Sequence, residues 1–502
     1  MHIVYELKND VEYGKLCTSK REGKKVRKTS ENLGRVLDKE RGIFQNRKLG
    51  VFTYSIEKGY GKVPVDFVPE VQLNMGKTKL ILDFGDSFFI DELLKKIGFD
   101  KVMAEIGYGN PDTLKAMLSY YILCSMANCH AQDWYEGNFA RILYPKANLT
   151  SQRISDFLAA IGDEYSYREF FKSYIEFLFK NVSDVEDTGI LIDSTGLPNS
   201  IHFPLTAISN HNGTISNEAR LIYVTQQDTG MPIYFRYCPG NVIDVTTLKR
   251  TMAELKESGV NTKFAILDAG YYSDENIREL FEGHISFVTR LKENRVLYKD
   301  LVSKHLPDIQ DKKNLVDYNG RYVYIKCVEC DLVEGYKGYA YICLDIERKS
   351  SETHKLFQQA KTKKLSNSDV YDKMQKQGVF ILVSSRRIAK DKMLPIYYTR
   401  TQIEQIFDIG KNYADLIPLR VQNEYTFRGH LLLTFMATVV CKIVQDKLKD
   451  TSSMNPESMF LNLRNHKCKV YKHAIITQEE FKKASDSYKL FKIDCPVRIP
   501  IK

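Results

Sequence analysis

Three acidic residues, far apart in the sequence, are the first candidates for chemistry. Asp193 and Asp268 each follow a short apolar run, in "ILID" and "AILD", and Glu404 lies in the downstream segment "YYTRTQIEQIFDIGKN". Carboxylate oxygens are ligands that Mg²⁺ and Mn²⁺ prefer. Two such ions can activate a water or a 3′-hydroxyl and stabilise the leaving oxygen of an in-line phosphoryl displacement. The three acids therefore predict a phosphoryl-transfer site that binds two Mg²⁺ or Mn²⁺ ions.

The segment around Glu404 carries three further polar residues at helical spacing. Arg400, Glu404 and Lys411 follow Tyr397 by three, seven and fourteen residues. At ~100° per residue, these offsets confine the four side chains to roughly 60° of a helix surface. An Arg fork, a Lys point charge and a Tyr hydroxyl can each hold a phosphate. A single helix with such a line of side chains is what binding of a DNA strand requires.

The elements between these residues would bring the two aspartates together. The segments "TGILIDSTG", "EARLIYVTQQ" and "MPIYFRYCPG" read as three strands, and they precede the helix "DVTTLKRTMAELKESG", which Asp244 would start. The strand "TKFAILDAG", a helix and the strand "HISFVTRL" follow. This order predicts an α/β fold with a hairpin meander and right-handed crossover units. The strands that end at Asp193 and Asp268 would then lie parallel, with both carboxylates at one sheet edge.

Each of these residues also has an ordinary structural interpretation. An Asp after a strand is usually a turn or helix-capping residue. Glu and Arg four residues apart on a helix usually form a weak surface pair. The conjunction of both aspartates with the polar segment favours the catalytic interpretation. Arg290 and Lys292, just past the last strand, could contact a DNA backbone or be simple surface charges.

Composition describes a folded protein with a basic excess. The chain has 502 residues, 43% hydrophobic and 27% charged, and a formal net charge of +10. This length predicts several domains, and the charge favours a polyanion partner. Ten scattered cysteines and an N-terminus without an apolar signal segment indicate the reducing cytoplasm. The apolar run "LLLTFMATVVCKIV" is shorter than the ~20 residues of a membrane span, so we expect a buried helix and no membrane partner.

The polar segment resembles a known signature. Tyr397-x2-Arg400-x3-Glu404-x6-Lys411 matches, without a gap, the Tyr-Arg-Glu-Lys signature of the DDE transposases of bacterial insertion sequences, in the IS-four-like group. The resemblance extends to "LIDSTG", to "LDAGYYSDENI" and to "RVQNEYTFRGHLLLTFMA", so it covers roughly Gly189 to Val444.

The resemblance implies an RNase H-like catalytic core with an inserted β-rich subdomain, plus N-terminal β and helical DNA-binding regions. On this division, residues 1–80 are a basic β-rich region and 81–185 a helical region that binds terminal repeats. A helix-turn-helix reader and a plain helical bundle are both open for the latter. The core takes up 186–292 and 396–450, the insertion 293–395, and 451–502 are a candidate dimerisation region. The basic run "SKREGKKVRK" would be a hairpin that is either solvated or in contact with DNA.

The resemblance also assigns roles and partners. Asp193, Asp268 and Glu404 would be the metal-binding triad, while Tyr397, Arg400 and Lys411 would contact the DNA end. Such enzymes use Mg²⁺-activated water to cut a strand at the element boundary and then join the freed 3′-hydroxyl to target DNA. The expected partners are DNA with terminal inverted repeats, target DNA and a second copy of the chain in a synaptic homodimer.

Two features depart from the family or suggest another metal. Some relatives place a Trp in the insertion to stack on a flipped base, whereas the one Trp here, Trp134, lies in the helical region. An insertion tyrosine could stack instead or simply pack on its strand, so a hairpin intermediate is an open question; the candidates are Tyr322, Tyr324 and Tyr341. Cys327-x2-Cys330 has no second ligand pair nearby, and zinc needs four ligands, so we expect no zinc.

Two alternatives to a transposase remain. A nuclease or resolvase of the same fold would cut DNA without joining it, using the same metal site with a different nucleophile. A transposase-derived protein that had lost catalysis would bind repeat ends as a repressor, although the intact triad argues against this.

Overall fold

The computed structural model of the chain describes most of its residues. It leaves out residues 9–10, 23–24, 47–48, 65–66, 68–80, 182–188, 200–202, 204, 212–213, 364–366, 413, 415, 418, 420, 422, 450–453, 472 and 502. The predicted region boundaries at 80/81, 185/186 and 450/451 fall outside the described residues.

The N-terminal region forms a six-stranded antiparallel sheet with strands in sequential order. Its strands are β1 (His2–Lys8), β2 (Val11–Glu22), β3 (Lys25–Asp38), β4 (Ile43–Asn46), β5 (Gly50–Ser55) and β6 (Gly59–Gly61). Leu16, Leu33, Phe44 and Phe52 form a small core of their own. The predicted basic hairpin is confirmed as the β2–β3 pair, in which Lys20 lies opposite Arg27, while residues 23 and 24 lie outside the description.

In the described residues of the predicted helical region, a short strand and seven α-helices follow. They are β7 (Ile81–Asp83), α1 (Gly85–Ile97), α2 (Phe99–Ala104), α3 (Pro111–Leu123), α4 (Ala131–Gly137), α5 (Ala140–Leu143), α6 (Ser151–Ile161) and α7 (Glu164–Asn181). The start of α3 is fixed by Asn110, whose side chain accepts a hydrogen bond from the Thr113 N–H, with Pro111 at the first helical position.

The central sheet has the predicted topology. Its first elements are β8 (Gly189–Pro198), β9 (Ala207–His211), β10 (Thr214–Gln226), β11 (Pro232–Pro239), α8 (Leu248–Glu257), β12 (Phe264–Leu267), α9 (Asp274–Glu282) and β13 (Ser286–Arg290). The strand order is β11-β10-β8-β12-β13. β8, β10 and β11 form the antiparallel meander, and β12 is parallel to both β8 and β13.

Residues 293–395, predicted as a β-rich insertion, extend the central sheet and also contain helices. They form α10 (Val296–His305), β14 (Leu315–Tyr318), β15 (Arg321–Val333), β16 (Tyr336–Asp345), α11 (Ile346–Lys363), α12 (Asn367–Gln375) and β17 (Val379–Ser384). β17 pairs with β13, and β16, β15 and β14 continue the same sheet outward. This pairing satisfies the backbone edge that β13 would otherwise expose.

The polar segment is two helices, so the prediction of a single helix was wrong. α13 (Lys390–Tyr398) ends before Arg400, and α14 (Thr401–Asn412) follows. Between them, N–H groups bond to the carbonyl three residues earlier, as from Arg400 to Tyr397, which tightens the turn. The hydroxyls of Thr399 and Thr401 also bond to carbonyls three residues back, and such bonds bend helices.

A long apolar helix, α15 (Glu424–Lys449), lies behind α14. In the described part of the chain it is the one helix long and apolar enough to cross a membrane, but 89% of its most apolar window is buried inside the protein. The prediction of a buried helix is therefore confirmed. It crosses α6 closely at Gly429, where a Cβ would lie 1.9 Å from the Leu158 carbonyl oxygen.

The C-terminal region packs on the helical region. Its elements are α16 (Pro456–Arg464), β18 (Lys467–Val470), β19 (Ala474–Thr477), α17 (Lys482–Phe491) and β20 (Arg498–Pro500). β18 pairs with β7, giving a four-stranded sheet of order β20-β19-β18-β7. The proposed role of 451–502 in dimerisation stays a prediction.

Candidate active site

The three predicted acids surround one guanidinium at the edge of the central sheet. Arg400 Nη2 lies 3.0 Å from Asp193 Oδ2 and 3.8 Å from Glu404 Oε1. Arg400 Nη1 lies 2.8 Å from Asp268 Oδ1. Acids that lie 75, 136 and 211 positions apart in the sequence thus share a single cation. The fold therefore brings the acids together as the sequence predicted.

The end of one strand opens the edge on which the aspartates lie. The ladder between β12 and β8 stops at the pair Leu267 and Ile192, one residue before each aspartate. Asp268 leaves β12 into a short turn of 3₁₀ helix. Asp193 does not end its strand, contrary to our expectation, because β8 continues to Pro198 along β10. Among the described residues, no strand pairs with β8 on the β12 side beyond Ile192, so Asp193 lies at an open sheet edge.

Exposure rises across the three carboxylates. The side chains of Asp193, Asp268 and Glu404 are 15%, 38% and 61% exposed. Burial raises the pKa of Asp193, the nearby Arg400 opposes this rise, and the charge of Asp268 adds to it. Burial would lower the pKa of Arg400, but Asp193 and Asp268 raise it above its usual value. The mostly buried carboxylate of Asp193 and the more exposed carboxylates of Asp268 and Glu404 thus share the positive charge of Arg400.

The donor set fits a divalent cation. Three carboxylates face one guanidinium, so the cluster carries surplus negative charge and offers only oxygen ligands, which suits Mg²⁺ or Mn²⁺. Within the described residues, no group of three or more His, Cys, Asp or Glu side chains is already arranged around a single metal position. The Arg400 guanidinium lies between the carboxylates instead.

Comparison with known proteins places the chain in a family. Residues 185–440, just over half of the chain, match the family model described as "Transposase DDE domain". The chain belongs to this DDE transposase family. The matched range includes all three acids and the Arg400 turn.

Other comparisons add less. A solved structure of the piggyBac transposase synaptic complex with hairpin DNA is similar with a TM-score of 0.40 and 12% sequence identity. The similarity covers 76% of this chain and 79% of that chain. No curated protein matches the chain in sequence.

Tyr397 and Lys411 of the DDE domain lie on opposite sides of Arg400 along the chain, and both are partly or wholly buried. Tyr397, the next-to-last residue of α13, is buried; its hydroxyl accepts a hydrogen bond of 3.3 Å from Arg400 Nη1, and burial raises its pKa. Lys411 Nζ donates to Thr195 Oγ1 at 2.6 Å, and burial lowers the pKa of Lys411. Tyr397 thus lies against the Arg400 guanidinium, and Lys411 lies against the segment that follows Asp193.

Arg290 and Lys292 differ in their surroundings. Lys292 Nζ donates to the carbonyl of Gly270 at 3.3 Å, so it lies beside the turn that follows Asp268. Arg290 lies 3.7 Å from Glu293 and packs over the ring of Phe380. Lys292 is therefore the better placed of the two for contact with a ligand at this edge.

A second ionic cluster under the DDE site was not anticipated. Asp244 Oδ1 accepts hydrogen bonds from Ser194 Oγ at 2.6 Å and from Arg220 Nη1 at 2.9 Å. Asp244 does not start α8, contrary to our prediction, because it begins a 3₁₀ turn and α8 starts at Leu248. The sequence did contain a signal for this cluster, because Arg220 lies within the apolar run "ARLIYV". A charged residue inside a buried strand requires a partner of opposite charge.

The aromatic residues that are candidates for base stacking differ in how exposed their rings are. Tyr341 is fully buried, and its hydroxyl donates to the Ile388 carbonyl, whereas Tyr322 is exposed on β15. Trp134 packs against Tyr120 in the helical region, with ring centroids 5.4 Å apart. Tyr324 is half-buried, so Tyr322 is the most exposed of the three candidate tyrosines.

Proposed function

We propose that this DDE transposase cuts a DNA strand at the ends of its element and joins the freed 3′-hydroxyl to target DNA. In this proposal Asp193, Asp268 and Glu404 hold two Mg²⁺ ions. The observation that carries it is the meeting of three carboxylates around one guanidinium at an open sheet edge, inside the matched DDE region.

The sheet supports an RNase H-like core. The order β11-β10-β8-β12-β13, with an antiparallel meander followed by parallel strands, is the one that the resemblance to such a core implies. The glutamate on α14 then reaches the edge where β8 and β12 stop pairing, next to the two aspartates. We infer that residues 186–292 and 396–450 form this core.

The roles of the protein's own groups follow from their environments. When bound, two divalent ions would activate the attacking oxygen and stabilise the leaving oxygen. The charged form of buried Asp193 is costly, so a divalent cation favours its ionisation. Glu404, the most exposed acid, would close the ligand set from the helix side.

The basic residues at the edge are proposed to hold DNA. Arg400 can form a bidentate contact with a phosphate, and Lys411 and Lys292 can act as point charges along the same edge. Tyr397, being buried, would support Arg400. Arg290 is a weaker candidate because Glu293 and Phe380 engage it. This assignment is consistent with membership of the IS-four-like group and its Tyr-Arg-Glu-Lys signature.

Recognition of the terminal inverted repeats is proposed for the N-terminal and helical regions, in a homodimer that holds both ends. The register of the β2–β3 hairpin places Lys20 opposite Arg27. The run "SKREGKKVRK" in this hairpin is strongly basic, and basic residues bind the DNA phosphate backbone. The hairpin is therefore our candidate for the DNA contact outside the core.

The test uses a DNA substrate whose sequence is taken from the DNA that flanks the gene. Short inverted repeats bounded by a target duplication define the end substrate, which is incubated with protein, Mg²⁺ and plasmid target. We expect end cleavage and strand-transfer products that Asp193→Asn abolishes. Cleavage without joining would indicate a nuclease or resolvase, and binding without cleavage a repressor. Either result would overturn the proposal.

A further inference from the structure

Asp244 contacts the segment that follows the first catalytic aspartate. Its side chain is 18% exposed and lies in the turn between β11 and α8. Asp244 Oδ1 accepts the Ser194 hydroxyl at 2.6 Å. Ser194 in turn donates its backbone N–H to Asp193 Oδ1 at 2.8 Å. One short chain of hydrogen bonds thus leads from Asp244 to the Asp193 carboxylate.

The other oxygen of Asp244 packs against the segment that follows the second catalytic aspartate. A Cβ at Gly270 would lie 2.8 Å from Asp244 Oδ2, closer than real contacts allow. Gly270 is two residues after Asp268, and its carbonyl accepts from Lys292. The absence of a side chain at position 270 lets the Asp244 carboxylate approach the backbone of this turn.

These contacts lie where the sheet no longer links the two segments. Backbone pairing between β8 and β12 ends at Ile192 and Leu267, so it holds neither aspartate segment to the other. The Asp244 turn is itself fixed, because Asn276 Nδ2 donates to the carbonyls of both Val245 and Tyr271. A side chain thus bridges the two segments beyond the last ladder pair.

The charge of Asp244 is supported from below. Arg220 Nη1 donates to Asp244 Oδ1 at 2.9 Å, and Arg220 Nη2 lies 3.7 Å from the buried Glu218. Hydrogen bonds between ionised groups are roughly twice as strong as neutral ones. Arg220 therefore orients the Asp244 carboxylate toward Ser194 and Gly270.

We propose that Asp244 is a positioning residue that fixes the segments carrying Asp193 and Asp268 relative to each other. The proposal rests on the proposed function for the roles of the two aspartates. Residues that orient metal ligands typically change metal affinity or activity by about 10–100-fold when replaced. Asp244 acts through Ser194 and the Gly270 turn, without contact to substrate.

The first test needs no catalysis. Amide hydrogen exchange is measured on the DNA-free protein for peptides that cover 193–196 and 268–271. We expect Asp244→Ala to increase exchange in both peptides, and Asp244→Asn, which keeps an acceptor oxygen, to increase it less. Glu254→Gln is the matched control, since this carboxylate bonds to Arg236 and Tyr234 elsewhere in the sheet. Unchanged exchange in both peptides with Asp244→Ala would overturn the proposal.

The second test separates positioning from DNA binding. For end cleavage, we expect Asp244→Ala to lower kcat about 10–100-fold and to raise the Mg²⁺ concentration at half-maximal rate, with KM for DNA little changed. Ser194→Ala should shift both quantities in the same direction by less, and Asp244→Asn should restore part of kcat. A raised KM with normal kcat would contradict the proposal. If Asp244→Ala increases exchange in both peptides but the wild-type protein cleaves no end DNA, the proposed function is overturned and the bridging role stands.

Discussion

Two arginines, Arg400 and Arg464, each neutralise buried acid in this protein, and their surroundings differ. Arg464 Nε donates to Asp86 Oδ2 at 2.9 Å, and its Nη2 donates to the Leu123 carbonyl. Asp86 is fully buried, and its other oxygen accepts from Asn138 Nδ2 at 3.0 Å. One positive charge meets one negative charge here, and the hydrogen bonds of both carboxylate oxygens are satisfied.

At Arg400 the balance is different. Three carboxylates face one guanidinium, and exposure rises from Asp193 to Glu404. Within the described part of the chain, no group accepts a hydrogen bond from the buried Arg400 Nε. A pair that serves stability is neutral and saturated, because an unpaired buried charge is costly. A cluster with surplus charge and an open side is costly to the fold and is typical of a functional site. The comparison therefore separates the acids that we propose to be catalytic from structural ones by charge balance.

The largest expected effect is on catalysis at the Arg400 cluster. Asp193→Asn should lower end cleavage by about three orders of magnitude or more, since removing one group that stabilises transition-state charge already costs about 10²–10³-fold. Cleavage is measured per folded molecule with labelled end DNA. Asp86→Asn should leave the rate per folded molecule unchanged. A similar loss from both substitutions would break the distinction between the two clusters.

The next effect is on stability at the Arg464 cluster. Arg464→Met leaves the fully buried Asp86 without its cation, and breaking such a pair costs about 3–5 kcal/mol of unfolding free energy. Arg400→Met should cost less, because Asp268 and Glu404 are partly hydrated. Denaturant unfolding of both variants measures the difference. Equal losses of unfolding free energy in the two variants would show that the surplus negative charge around Arg400 does not affect stability.

The interior around α15 also predicts how stability depends on pH. Burial lowers the pKa of His430 to about 4. His430 Nε2 lies 3.2 Å from the Leu416 carbonyl, so Nε2 donates and neutral Nδ1 accepts from the Tyr121 hydroxyl at 2.8 Å. Between about pH 6.5 and 4 the unfolded state binds more protons than the folded state, so stability falls as pH falls through this window.

The measurement is unfolding free energy against pH for wild type and His430→Gln. The wild-type protein should lose on the order of 2–3 kcal/mol more than the variant between pH 6.5 and 4, since one pKa unit corresponds to about 1.4 kcal/mol. His284, an exposed residue in the turn after α9, is the control position for substitution by Gln. Parallel curves for wild type and His430→Gln would contradict the prediction.

The sequence predicted the elements that local pattern determines and missed contacts made by distant segments. The apolar runs before Asp193 and Asp268 predicted two parallel strands, and β8 and β12 confirm this. The pairing of β13 with β17, about 90 residues later, carried no local signal. The same holds for Asp244, whose partners Ser194 and Arg220 lie on other strands. At Arg400, helical periodicity was overridden by threonine hydroxyls that bond to the backbone.

The smallest expected effect concerns the cation that the carboxylates already share. A divalent ion that binds Asp193, Asp268 and Glu404 must compete with the Arg400 guanidinium, so Arg400→Gln should bind Mn²⁺ about tenfold more tightly in the absence of DNA, or about 1.4 kcal/mol. Calorimetric titration measures the affinity. Arg290→Gln is the matched control, because Arg290 pairs with Glu293 at the same sheet edge. An unchanged affinity in Arg400→Gln would mean that the guanidinium does not obstruct the metal position. A raised affinity would mean that a DNA phosphate that binds Arg400 promotes metal binding by the three carboxylates. At Arg464 the single carboxylate of Asp86 carries no surplus charge, so no such coupling is expected there.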